Sequence, residues 1–122
     1  MEIDASNALV LNNYAYYLAV RGEQMEKAEE MSKKSLEKEP ENASYLDTYG
    51  YILFKNGKYE EAEKYIKKSL DKEPESGEIN EHYGDVQYKL GNKEAAMDYW
   101  KKAKKYGSEG EDLKKKIEEG KL

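Results

Sequence analysis

The chain has 122 residues, 39% of them charged and 38% hydrophobic, with a formal net charge of −5. That acidic balance disfavours binding to a phosphate backbone, which relies on clustered Lys and Arg in excess, and the absence of cysteine excludes disulfides, thiol chemistry and cysteine-ligated zinc. So few apolar residues make a meagre core for a compact sphere, while twelve tyrosines against one phenylalanine supply rings that pack by the body and keep a hydroxyl for water or a hydrogen bond.

At the start, Met1-Glu2-Ile3-Asp4 lacks the basic residues and apolar stretch of a signal peptide, and no run approaches the roughly 18 to 20 apolar residues of a membrane span. The chain as given is therefore expected to be soluble, with its compartment left open. Asp4-Ala5-Ser6-Asn7 stands where Glu39-Pro40-Glu41-Asn42 stands one unit later, so residues 1–7 read as the tail of a preceding unit. A native terminus with an atypical cap is the alternative. The next segment, 8–42, carries Leu11, Tyr14, Ala15 and Leu18 at the i, i+3, i+4, i+7 spacing of one buried helical stripe. Gly22 ends that helix as a residue tolerant of the left-handed conformation. A second helix follows with Ala28, Met31, Ser35 and Leu36. Small residues at Ala15, Ala28 and Ser35 mark places where helix axes come close.

The segment 43–76 repeats this pattern after Pro40, which makes continuation of the preceding helix unfavourable. Ala62, Ser69 and Pro74 follow Ala28, Ser35 and Pro40 at one constant interval, whereas Tyr49-Gly50 and Gly57 follow Tyr14-Ala15 and Gly22 at an interval longer by one. One residue is therefore inserted in the turn between Gly22 and Ala28. A third unit, 77–110, repeats Tyr49-Gly50, Gly57, Ala62 and Ser69 as Tyr83-Gly84, Gly91, Ala96 and Ala103, at the same interval that separates Ala62 from Ala28. It departs at Asn80, where the earlier units have Leu11 and Leu46, and it lacks the proline. From Ser108, a Ser108 to Glu111 capping-box spacing and the pair Leu113 and Ile117 predict a short last helix, which with its tail makes up residues 111–122.

A period of about 34 residues with two helices per unit resembles the tetratricopeptide repeat family, whose W-x2-L-G-x2-Y, A-x3-F and P pattern is met at Leu46, Tyr49, Gly50, Leu53, Ala62, Ile66 and Pro74. The resemblance covers nearly the whole chain. It implies an all-α, right-handed α-α superhelix of three helix-turn-helix repeats plus a C-terminal capping helix, each pair burying its apolar face against its neighbours. Leu11 to Ala19, Leu46 to Tyr51 and Glu81 to Gly91 also resemble C-terminal repeats of bacterial members of the family. That implies a scaffold or assembly role, with any membrane anchor upstream.

In the family, the first helix of each repeat lines a concave groove. Carried over by register, that groove takes Asn12, Asn13 and Tyr16 from repeat one, Asp47, Thr48, Tyr51 and Phe54 from repeat two, and Glu81, His82, Asp85 and Tyr88 from repeat three. Rings interleaved with Asn and carboxylates suit a peptide or protein segment, either basic or aromatic and apolar. The bland alternative is that the rings only pack helix against helix. Some members hold acidic C-terminal tails in a basic clamp, but the clamp's basic positions here hold Asn12, Glu78 and His82, so that use is not expected.

Other readings carry less weight. Lys33-Lys34, Lys67-Lys68 and Lys101-Lys102 form a ladder that could draw an acidic partner or lipid headgroups, yet Glu29, Glu30, Glu63 and Asp98 precede them at helical spacing, which predicts a solvated face of i,i+4 pairs. His82 is the only histidine; Glu78, Glu81 and Asp85 surround it on one helix face, and an exposed histidine is expected there in preference to a metal site. No cofactor or bound metal is expected. Asp47 and Asp85 are placed to face each other across the groove, with nothing enclosed to shift a pKa. No nucleophile, base and orienter come together at catalytic spacing, so the chain reads as no enzyme. Asn42-Ala43-Ser44 fits a glycosylation sequon of a length that arises by chance. Two further roles remain: self-association into a homodimer through an open N-terminal edge bearing Leu9, Val10 and Tyr17, and service as the regulatory tail of a longer protein.

Overall fold

The computed structural model describes residues 7–122, so the tail of a preceding unit read into residues 1–7 lies almost wholly outside it. Seven helices follow in order among the described residues: α1 Ala8–Arg21, α2 Met25–Lys38, α3 Ala43–Lys55, α4 Tyr59–Lys72, α5 Gly77–Lys89, α6 Lys93–Lys105 and α7 Glu111–Glu119. Each first helix starts the same way. The side chains of Asn7, Asn42 and Ser76 accept from the backbone N–H of Val10, Tyr45 and Ile79, answering one of the donors that a helix start leaves free. The second helices have no side-chain cap.

Within a repeat α1 packs on α2, α3 on α4 and α5 on α6; between repeats α2 packs on α3 and α4 on α5. The first helices also meet one another, α1 with α3 and α3 with α5, without comparable packing between second helices. The first helices are therefore the inner, more closely spaced layer. Of the stripes predicted from spacing, Leu11, Ala15 and Leu18 on α1 and Ala28, Met31, Ser35 and Leu36 on α2 are buried, while Tyr14 is half-buried. A Cβ on Gly50 would collide with Ile66 Cγ1, and one on Gly84 would sit 2.5 Å from Trp100 Cδ1. The Gly of each pattern thus makes room for the large side chain of its partner helix.

The inserted residue is absorbed in the first turn. Gly22 caps α1 with φ 68°, and Gln24, at φ 44°, is the non-glycine residue with positive φ among those described. That conformation costs an L-residue roughly 1–2 kcal/mol, and it lets α2 begin in register with α4 and α6. Asn80, the departure from Leu, is buried, and its amide donates to the carbonyls of Pro74 at 3.1 Å and Ser76 at 2.7 Å. It ties the start of α5 to the preceding turn.

The capping box does not form. The N-cap of α7 is Gly110, without a side-chain bond, because Ser108 is engaged elsewhere: its N–H donates to Ala103 O at 2.9 Å and its hydroxyl to Glu81 at 3.1 Å. Nor is the lysine face built wholly of i,i+4 pairs. Lys34 pairs with Glu30 at 3.6 Å, but Glu29 accepts from Asn56 and Lys58, and Glu63 accepts from Gln87 and Tyr83, so both glutamates bridge to the next repeat. Lys68 and Lys102 lie over the rings of Tyr65 and Tyr99.

Candidate functional site

Between the first helices an open cleft of about 670 Å3 is lined by Asn12, Asn13 and Tyr16 of α1, Asp47 and Thr48 of α3, and Glu78 and Ile79 of α5, with Leu9, Asn42, Ser44, Tyr45, Glu73 and Ser76 around them. Five of the groove residues expected from register thus share one cleft. Asn12, Asp47 and Thr48 are buried in its wall, Asn13 is exposed and Tyr16 is half-buried. The Tyr16 hydroxyl donates to Glu78 at 3.0 Å. Burial and that neighbouring carboxylate both push the Tyr16 phenol up.

His82 departs from expectation. It is buried, not exposed: its ring lies 4.5 Å from that of Tyr51 in a stacked pair, and Nδ1 sits 2.9 and 3.0 Å from the two carboxylate oxygens of Asp47. Burial alone would drive the imidazole pKa down; Asp47 outweighs it and, with Glu78 and Asp85, pushes His82 up to about 9. An imidazolium bridging repeats two and three is the result. The candidate donors for a cation are Asp47, Glu78 and His82, whose ligand atoms lie within 4.8 Å of one another, not the one-face set with Glu81 and Asp85. A metal there would have to displace the proton that holds His82 to Asp47.

Asp47 and Asp85 do not confront each other either, because each has its own partners. Asp85 accepts from the Trp100 indole N–H at 2.9 Å and from Lys116 of α7 at 3.0 Å; Lys116 also reaches Glu81 at 2.9 Å. Burial raises the Asp85 pKa despite Lys116. Burial lowers that of Lys116, and the two carboxylates more than restore it. Enclosure that spacing did not reveal therefore does shift groups here. Phe54 and Tyr88 follow the bland reading: Phe54 packs on the central core and Tyr59, and Tyr88 stacks 5.9 Å from Trp100.

Lys116 was not among the expected site residues, yet a signal for it existed. It follows His82 by one repeat period, as Glu81 follows Asp47, and α7 starts one period after α5. In register, α7 stands where the first helix of a fourth repeat would stand. The cation of one unit answers the carboxylate of the unit before: His82 on Asp47, Lys116 on Glu81. Thr48 and Asn12 occupy the same two positions one step earlier, without charge.

The solved structures that this fold resembles are tetratricopeptide domains. The Sgt2 TPR domain from Aspergillus fumigatus matches with a TM-score of 0.81 at 16% identity, over 93% of this chain and 76% of that one. The first TPR of Spaghetti (RPAP3), bound to the HSP90 peptide SRMEEVD, matches at 0.82 and 15%, over 98% and 94%. The first TPR domain of human RPAP3 matches at 0.82 and 14%, over 96% and 91%. At such identities the likeness speaks for the fold. No curated protein matches the chain significantly. The family model described as "Anaphase-promoting complex, cyclosome, subunit 3" matches residues 22–107, well over half the chain. With its three repeats in place, the chain belongs to that family of tetratricopeptide-type repeat proteins.

Proposed function

We propose that the chain is a non-catalytic interaction module that holds an extended peptide or protein segment between α1, α3 and the start of α5. The cleft of about 670 Å3 carries this reading. It offers what an extended backbone needs, amide and hydroxyl groups such as Asn13 of α1 and Ser44 of α3, with Leu9 and the half-buried ring of Tyr16 also lining it. The related RPAP3 domain, bound to its HSP90 peptide, lends precedent for peptide binding on this fold. An acidic tail does not suit this cleft, where it would meet Glu73 and Glu78.

The test is affinity capture by the whole chain beside an Asn13→Ala, Tyr16→Ala variant. A partner retained by the former and weakened by ~1–4 kcal/mol in the latter supports groove binding; one indifferent to the change moves the interface elsewhere. Asp47→Ala with Tyr51→Ala is a poorer probe, because Asp47 holds a buried imidazolium in place and Tyr51 stacks on it.

A homodimer through α1 is the second reading. Leu9, Val10, Tyr17 and Val20 are 37–56% exposed. By register Val10 and Tyr17 correspond to Tyr45 and Ile79, and to Ile52 and Val86, all buried in the interior repeats. If copies meet there, adding a capping helix ahead of α1 should yield a monomer by sedimentation; a dimer that persists rejects the idea.

A further inference from the structure

We infer that the segment held in this cleft is cationic and presents a lysine or arginine side chain to Glu78. The inference rests on the groove reading above and adds the chemistry of the ligand. It starts from how the inner face neutralises itself. Asp47 is answered by His82, and Glu81 and Asp85 by Lys116, at 2.9–3.0 Å in every case. Each is a bond from one unit to the carboxylate of the unit before. Glu78 stands outside that scheme: it is exposed, it borders the Asp47–His82 pair, and the hydrogen bond it makes among the described residues comes from the neutral Tyr16 hydroxyl.

Charge along the cleft points the same way. Asp47, Glu73 and Glu78 bring three carboxylates to it and His82 returns one positive charge, while no Lys or Arg lines it in a chain that has 21. A potential of one sign, focused in a partly walled cleft, selects a ligand of the other sign.

Asn12 is a second, independent sign of a ligand. It is 7% exposed, it lines the same cleft, and its amide oxygen has no partner among the described residues. By register it holds the place that Asp47 and Glu81 hold in the next two units, where a cation supplies the donor. Thr48, the residue at the cation's position, supplies none to that oxygen. A buried acceptor without a donor is costly; this oxygen is closed to solvent, so an ammonium or guanidinium, with three or five N–H groups, meets Glu78 first and reaches the amide only as the wall shifts. Lys116 between Glu81 and Asp85 is the chain's own example of that fit.

The experiment selects short random peptides displayed on phage against the whole chain, then titrates the recovered peptides by calorimetry against the chain and its Glu78→Gln and Glu78→Lys variants. Circular dichroism checks that both variants fold. Backbone amide shifts of Asn13, Tyr16, Thr48 and Glu78 report whether a peptide sits in the cleft. The expected result is Lys- or Arg-bearing peptides that move those amides and bind Glu78→Gln roughly tenfold more weakly, with selection against Glu78→Lys no longer recovering them. Peptides that move the amides but are neutral or acidic, or cationic peptides indifferent to Glu78→Gln, overturn the cationic ligand and leave the groove reading standing. If no recovered peptide moves those amides, both readings fall.

Discussion

The two ends of the inner face are built on one register and differ in whether the protein fills them. At the α7 end, Lys116 inserts between Glu81 and Asp85, Trp100 closes over Asp85, and Ser108 completes the set. At the α1 end, Asn12 and Thr48 hold the corresponding positions, Asn12 keeps an unmatched oxygen, and a cleft remains open. Since the helical scaffold repeats, it is side chains that decide whether a stretch of this face is filled or left open. Among the described residues, the unfilled end is where Asn12 lacks a partner for its amide oxygen and Glu78 forms no ion pair.

That contrast can be broken most severely at Trp100. It is fully buried, fills the space left by Gly84 and donates to Asp85, so Trp100→Ala should cost about 3–5 kcal/mol in urea unfolding. A loss below about 1 kcal/mol would mean the filled end does not depend on the ring. Next comes the imidazolium between the two ends. His82 faces Asp47 and Tyr51 on α3 and has Glu78 and Asp85 on its own helix, and its pKa is raised from 6.5 to about 9. The folded state therefore binds this proton more tightly. Its stabilising contribution is complete below about pH 6.5 and is lost as pH rises through about 9, a fall on the order of 3 kcal/mol. His82→Gln should flatten that part of the stability curve; a wild-type curve already flat between those pH values contradicts the pairing. The smallest effects come from removing one charge at each end. Lys116→Met strands two carboxylates, one of them buried, and should cost about 1–3 kcal/mol and raise the Asp85 pKa further in an NMR titration. Glu78→Gln, at the exposed end, should change stability by no more than about 0.5 kcal/mol. Equal costs for the two would erase the distinction between a filled and an open end.

Much of this was readable in residue order. The stripes of Leu11, Ala15 and Leu18, the Gly50 and Gly84 opposite Ile66 and Trp100, and the extra residue near Gly22 all leave a mark on spacing, because a helix buries whatever recurs on one side of it. The cleft residues Asn12, Asn13, Tyr16, Asp47 and Thr48 came from the family's groove carried over by register. Asp85, Phe54 and Tyr88 shared that register and went elsewhere, into partnerships with Lys116, Tyr59 and Trp100. His82, expected to be exposed, became a buried cation because Tyr51 and Asp47 of the neighbouring repeat reach it.

The sequence by itself determined the repeat, its phase and the helix pairs, since these follow from local periodicity and from which positions must be small, and the resemblance to the repeat family added which helices form the inner layer. Only the tertiary structure decided which polar side chains on that layer answer each other. Those bonds join residues 31 to 62 positions apart, such as Lys116 to Asp85 and Tyr16 to Glu78. Their strength depends on burial and on atomic separations of about 3 Å, which helical phase alone does not fix.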